Sequence, residues 1–434
     1  MKLKEKYKRL LLPLALLFAA APSAVSQQVT LQQCIDAAEA NYPLIRQYDI
    51  IGQTRDISLS DINRNWLPKI ELYGQGSVQN SVAEFPSVLT DMLDKMGQHF
   101  RGLGKFQYRA GVDVSQTIWD GGASRYRREQ ERVTADVNRA ALDVELYALR
   151  ARVENLYFGI LLMQEQTEQT RQTETLLDAN LRRMTAAFNN GVATRSDVDM
   201  IEAELLGIRQ QILLAQGAED SYRDVLSVFT GLDLAGKTLE RPSAEEPSDL
   251  TPDRPELRLY DARLRASEVM RRSVEAEVMP KIGFFGQAFY GYPGFDNFRS
   301  MRTRRPDFNL LAGIKATWNI SSLYTRNNRR ATADLAALEA TTQRETFLFN
   351  NRLAATGQDA DIRSLRAAMA NDAKIIELRR SVRRSAESQL ENGVIDATAL
   401  LSKITDENRA ELTARYHEIE LLKKIYELKN TLNR

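Results

Sequence analysis

The chain has 434 residues, a net charge of +1, one cysteine and two histidines. One cysteine excludes an internal disulfide and a thiolate metal cluster, and two distant histidines, His99 and His417, leave no pair for a histidine-based metal or acid–base site. Near-neutral mixed charge is not the footprint of a nucleic-acid binder.

The chain opens with Lys2, Lys4, Lys6, Lys8 and Arg9, followed by an apolar run from Leu10 to Ala21 and the small residues Ala24-Val25-Ser26. This is the pattern of an export signal over residues 1–26, with the mature protein starting at Gln27. The five basic residues and one acid of that segment account for four positive charges, so residues 27–434 carry about −3. No later segment is apolar enough for a transmembrane helix, so any membrane-spanning part of the mature chain must be strands.

Four short segments alternate in polarity: Pro68 to Val78, Phe106 to Trp119, Pro280 to Gly291 and Phe308 to Ile320. Each is roughly the ten residues of a transmembrane β-strand. Trp66, Tyr73, Trp119, Tyr290, Tyr292 and Trp318 sit near their ends, where an interfacial girdle places aromatic rings. A soluble hairpin shows the same alternation, and the export signal favours the membrane. The loops at about 79–105 and 292–307 read as long and polar.

Proline placement locates the helices. None of the twelve prolines falls between Pro86 and Pro242 or after Pro306. Proline breaks helix interiors, so these intervals accommodate helices of roughly 65–70 residues, from Ala123 to Asn190 and from Tyr324 to Asn392. Each closes on Asn-Gly, a helix-stop signal, and a further helix follows at about 196–230 and 396–432. Val133, Val137, Ala140, Val144, Tyr147 and Ala151 form one seam, and Leu142, Leu146, Leu149, Val153, Leu156 and Ile160 a second on the opposite side. Two seams suit a wall of helices with a neighbour on each side; burial in a large bundle is the alternative.

The chain repeats itself. Gly191 and Gly393 are 202 residues apart, as are Gly111 and Gly313, and Trp66-Leu67-Pro68-Lys69-Ile70 is answered by Val278-Met279-Pro280-Lys281-Ile282. A period this long marks a duplicated structural unit, not a solenoid repeat. The expected organisation is a first repeat at 27–232, a linker at 233–255 and a second repeat at 256–434, mainly α with a β-barrel portion. Four strands cannot close a membrane barrel, so subunits would have to share one; three would supply twelve strands.

The chain resembles the TolC-like outer-membrane efflux proteins. The resemblance rests on Leu31-Gln32-Gln33-Cys34-Ile35-Asp36-Ala37-Ala38 with Asn41-Tyr42-Pro43, then Trp66-Leu67-Pro68, Ile118-Trp119-Asp120-Gly121-Gly122, and Asn190-Gly191-Val192-Ala193-Thr194 with Asp197-Val198. It implies a homotrimer with a twelve-stranded barrel among outer-membrane lipid and an α-helical tunnel in the periplasm of a Gram-negative cell. It implies no cofactor. It makes Asn190, Gly191, Val192, Ala193, Asn392, Gly393 and Val394 the tips that dock a periplasmic adaptor (membrane fusion) protein. It also makes Asp197, Asp396 and Ser402 candidates for a pore constriction, with helix capping as the other reading of Asp197. The second half departs from the family pattern: Ala399 and Ser402 stand where acids are expected, and Ile395 where a basic residue is.

Two other patterns are set aside. Gly231-Leu232-Asp233-Leu234-Ala235-Gly236-Lys237-Thr238 fits a phosphate-binding loop, but a helix precedes it and prolines follow. Arg299, Arg302, Arg304 and Arg305 could meet lipopolysaccharide phosphate or simply be solvated. No nucleophile–base arrangement is present, so no catalysed reaction is expected. The expected function is the exit duct of a tripartite efflux or type I secretion system, passive and driven by an inner-membrane pump. The alternative is a non-channel periplasmic coiled-coil structural or adaptor protein.

Overall fold

The computed structural model describes residues 28–243 and 245–434; the expected export segment lies outside them. The chain forms two compact units, each drawing on both halves of the sequence. One comprises 42–151, 246–364 and 424–434, and the other the described residues up to Asn41 with 152–245 and 365–423.

The first of these units contains the sheet. Its strands are β1 (Lys69–Val78), β2 (Phe106–Trp119), β3 (Lys281–Tyr292) and β4 (Asp307–Thr317), ordered β1-β2-β3-β4 with antiparallel neighbours. Side chains alternate across a strand, and directly paired residues share a face. The register therefore assigns every position. Ile70, Leu72 and Val78 share one face with Phe106, Tyr108, Val112, Val114, Phe284, Tyr290, Phe308, Leu310 and Ile314. The other face carries Lys69, Glu71, Gln75, Arg109, Asp113, Ser115, Gln287, Asn309 and Lys315. Its polar groups bond one another: Gln287 donates to Asp113 at 2.9 Å and to the Tyr73 hydroxyl at 3.2 Å, and Arg109 to Gln75 at 3.1 Å. Gly111 sits where a Cβ would come within 2.5 Å of the Ala288 carbonyl and 2.6 Å of the Phe289 Cβ, so no larger residue fits between β2 and β3.

The loops differ from expectation. Residues 79–105 hold a helix, α3 (Ser87–Lys95), counting α1 (Leu31–Asn41) and α2 (Gln47–Arg64) before it. The β3–β4 loop holds another, Asn297–Thr303. The two loops share a small apolar core of Leu103, Tyr292 and Met301 with Val82, Phe85 and Phe100. The Tyr292 hydroxyl accepts from the Gly104 amide at 2.6 Å, and the Arg304 guanidinium donates to the carbonyls of Gly102 and Arg101. These apolar residues are scattered without helical or strand periodicity, which is why the loops read as merely polar.

The first long helix, α4, runs Ala123–Asn189 as one element, followed by α5 (Arg195–Thr230) and α6 (Pro255–Glu277). Most residues of both α4 seams are buried or half-buried; in the sheet-bearing unit, Val137, Ala140 and Val144 pack on Leu259 and Ala262 of α6. The Asn297–Thr303 helix is α7. The second long helix is interrupted, contrary to expectation: α8 (Ser322–Met369) stops, α9 (Asp372–Glu391) begins, and α10 (Ala397–Leu432) follows the last turn. Neither proline nor glycine lies at the break. Asn371 and Asp372 are the cause, because short polar side chains compete with the helical backbone. The Asn371 amide bonds Ala368, three residues back, and the Asp372 carboxylate turns to the His417 ring at 2.7 Å.

In the unit without the sheet, the linker is tied to the N-terminal segment. Val29 pairs with Leu239 as an isolated bridge, its amide bonding the Thr238 carbonyl at 3.0 Å and its carbonyl accepting from Glu240 at 3.1 Å. The fully buried Tyr157 places its hydroxyl 2.8 Å from the Val29 carbonyl and 2.6 Å from that of Glu240. Here lies the stretch that mimics a phosphate loop. It turns the carbonyls of Leu234 and Lys237 toward the Arg223 guanidinium, at 3.1 and 2.8 Å, where a phosphate site needs converging amides. Cys34 is buried and free, and burial pushes its thiol pKa up to about 11.

Tyr157→Phe removes the hydroxyl shared by the two carbonyls and should cost about 1–2 kcal/mol. Amide exchange at Val29 and Glu240 should quicken; unchanged exchange at both would refute the clasp.

Candidate functional site at the paired helical turns

Both Asn-Gly turns close their helices with the same hydrogen bonds. At the first, the Gly191 amide bonds the Phe188 carbonyl at 2.9 Å and the Val192 amide that of Ala187 at 2.9 Å. At the second, Gly393 bonds Leu390 at 3.0 Å and Val394 bonds Gln389 at 2.8 Å. This is the Schellman closure, and it needs the left-handed residue that Gly191 (φ 75) and Gly393 (φ 70) supply. Asn190 and Asn392 precede them as exposed residues, and Val192 and Val394 stand 82% and 69% exposed.

The helices that follow are capped differently. Thr194 caps α5 in a reciprocal box: its hydroxyl accepts from the Asp197 amide at 3.3 Å, while the Asp197 carboxylate accepts from the Thr194 amide at 2.9 Å and hydroxyl at 2.6 Å. Donation from Thr194, hydroxyl first and amide second, holds the Asp197 carboxyl below the usual carboxylate range. At the equivalent second position Asp396 acts alone, accepting from the Ala399 amide at 2.8 Å. Both acids singled out as constriction candidates therefore serve as helix caps. Ser402 lies exposed beyond them on α10.

The two turns meet over a common core. Leu177 and Met184 of α4, Val198, Ile201, Leu205, Ile208 and Ile212 of α5, Ala386 of α9, and Ala397, Leu400, Leu401 and Ile404 of α10 pack into one buried cluster. Below the turns, Arg380 and Arg383 of α9 grip the buried Glu407 of α10, and Arg380 also reaches Glu411 at 2.6 Å. A buried carboxylate is tolerable only when so paired.

Above the core the turns diverge around a cleft of about 350 Å³. Its floor is Met184, Ile201 and Leu400. Val192, Ala193 and Asp197 of one turn face Gly393, Ile395 and Asp396 of the other across it. Its charged lining is Asp197, Glu387, Glu391 and Asp396 against Arg183, which reaches Glu391 at 3.8 Å. The cleft thus unites Val192, Ala193, Asp197, Gly393 and Asp396 among the sequence candidates, and leaves Asn190, Gly191, Asn392, Val394 and Ser402 outside its lining. Sequence reasoning missed Arg183, Glu387 and Glu391. Their signal was helical spacing back from each turn, about half a turn to two turns upstream.

Residues 61–231 match the family described as outer membrane efflux protein. No curated protein sequence matches the chain. Among solved structures, the chain is similar to the outer membrane protein VceC from Vibrio cholerae, at 11% identity and TM-score 0.67, covering 93% of this chain and 94% of that one. It is similar to the Campylobacter jejuni CmeC outer membrane channel at 14% identity and TM-score 0.64, covering 93% and 85%. It is similar to the Neisseria gonorrhoeae MtrE outer membrane channel at 17% identity and TM-score 0.63, covering 93% and 88%. The chain is TolC-like in fold over nearly its whole length, helical with a β-barrel portion, and residues 61–231 carry the outer membrane efflux pattern.

Thr194→Ala should cost the α5 cap about 1 kcal/mol, read as roughly fivefold lower amide protection in the first turn of α5. Because the folded Asp197 pKa is depressed, its contribution is fully present above an unfolded value near 4 and is lost as pH falls through the lower folded value. A protection difference between Thr194→Ala and wild type that stays constant through that acid range would remove Asp197 from the cap.

Proposed function

We propose, from the outer membrane efflux pattern and the channel fold, that this protein is the outer-membrane exit duct of a tripartite efflux or secretion system. The observation that carries the reading is the two-faced sheet with open edges. One face is apolar and exposed, including Leu72 at 81%, Ile314 at 74% and Leu310 at 68%. The other is mainly polar, with Phe285, Phe289 and Leu311 among its polar groups, and among the described residues β1 and β4 have no neighbour on their outer edges. In lipid an unpaired edge costs several kcal/mol per backbone group, so only a closed barrel satisfies it. Three copies give a barrel of twelve strands, within the range such barrels occupy. The apolar face then meets outer-membrane lipid and the polar face lines the lumen.

The paired turns face the periplasm and receive an adaptor protein. The exposed valines and the acid-lined, apolar-floored cleft suit a helical turn bearing basic and apolar side chains. Asp197 and Asp396 narrow the pore at these turns while capping their helices, and Ser402 lies one to two helical turns further along. Transport through the duct is passive, with energy supplied by an inner-membrane pump that the adaptor connects.

Two measurements test this. The protein should fractionate with the outer membrane and run as a trimer in mild detergent; recovery in the detergent-free periplasmic fraction would refute the duct and favour the non-channel alternative. Photo-reactive residues at Val192 and Val394 should capture a periplasmic adaptor in cells, identified by mass spectrometry; no adaptor at either position would refute the docking assignment.

A further inference from the structure

The polar face of the sheet is unevenly charged. At the end where every strand joins a helix it carries Lys69 of β1, Lys281 of β3 and Lys315 of β4. The register places all three on one face. Lys69 pairs with Ser115, Ser115 with Phe285 and Phe285 with Gly313; in the neighbouring rows Lys315 pairs with Gly283 and Lys281 with Thr317. Lys281 and Lys315 are diagonal neighbours, about 7–8 Å apart at the backbone. The three lysines border a cleft of about 340 Å³ that Ser115, Thr117 and Phe285 also line. The Phe285 ring lies across Gly313, close enough that a Cβ there would meet it at 3.0 Å, so an apolar surface adjoins the charges.

All three lysines are exposed, and among the described residues none pairs with a carboxylate. The nearby acids are committed elsewhere: Glu275 to Arg326, Glu277 to Arg329, and Asp120 to the amides of Gly122 and Ser124. On the polar face itself the first carboxylates, Glu71 and Asp113, lie in the next row, where Asp113 accepts from Gln287. The charges lie within a Debye length or two of one another, about 8–10 Å each, so their potentials add in solution. A low-dielectric wall around a lumen focuses such a field further.

We infer that Lys69, Lys281 and Lys315 form an anion-selecting belt, repeated in each subunit, that takes the acidic head of an amphiphilic cargo while the Phe285 ring meets its apolar body. The inference rests on the duct reading, in which this face lines the lumen, and names the cargo class: organic carboxylates, sulfates or phosphates with an apolar portion.

The test uses the intact protein in planar bilayers, comparing wild type with Lys69→Gln/Lys281→Gln/Lys315→Gln. The substituted side chains are solvent-exposed, and trimer recovery reports folding. Under a KCl gradient, the reversal potential of the variant should move toward that of a cation-selective pore. Octyl sulfate should block the wild type, with inorganic sulfate a weaker blocker, and the block should weaken by about tenfold in the variant. Equal block by the two sulfates would overturn the role of Phe285 and the amphiphile class. Identical reversal potential and block in both proteins would overturn the belt and leave the duct standing. No conductance from either trimer would overturn the duct reading and the belt with it.

Discussion

The constraint on which the structure turns is hydrogen bonding at the edges of a four-stranded sheet. β2 and β3 find both their partners within the chain, whereas β1 and β4 each present an unpaired outer edge. Such an edge invites aggregation in water and is prohibitive in lipid. The register sharpens the demand, because it gathers Ile70, Leu72, Phe284, Phe308, Leu310 and Ile314 on one face and Lys69, Glu71, Arg109, Asp113 and Gln287 on the other. A one-residue slip would exchange the two faces, so Gly111, which admits only the Phe289 approach observed, helps hold the arrangement. Oligomerisation, membrane residence and a polar lumen in the proposed duct are all answers to this one requirement.

The paired turns share one closure and then diverge. Their Schellman closures are the same bond for bond, because backbone geometry demands glycine at both. Three residues after each glycine the demand relaxes to any good cap, and the two turns part: Thr194 with Asp197 on one side, Asp396 alone on the other. Charge placement around the cleft is correspondingly unequal, with Arg183 on α4 and Glu387 and Glu391 on α9. Capping and pore-lining are compatible roles for a carboxylate, since an aspartate that accepts from a helix terminus still presents charge to solvent.

The sequence was legible wherever a local rule acts alone. Proline-free intervals located α4 and α5 to within a residue or two, and alternation located the four strands, with Trp318–Ile320 alone falling outside β4. It failed where distant groups decide. The break between α8 and α9 has no proline or glycine, and depends in part on Asp372 finding His417 some forty-five positions away. The loop helices are held by Phe85, Phe100, Leu103, Tyr292 and Met301, whose scattered positions form no pattern until two loops meet. At the candidate site, the turns and their acids were legible, while Arg183, Glu387 and Glu391 looked like ordinary solvated helix residues.

The sequence by itself determined most of the elements and the left-handed turns, because periodicity, proline exclusion and glycine's freedom operate within a few residues along the chain. Only the tertiary structure decided which charges are spent and which are free. Arg304 and Arg383 are consumed by partners that sequence order does not reveal, whereas Lys69, Lys281 and Lys315, up to 246 positions apart, are brought onto one face without a carboxylate partner among the described residues. The physical reason is that hydrogen bonds and ion pairs depend on distances of a few ångströms, and strand register sets those distances between residues that the chain keeps far apart.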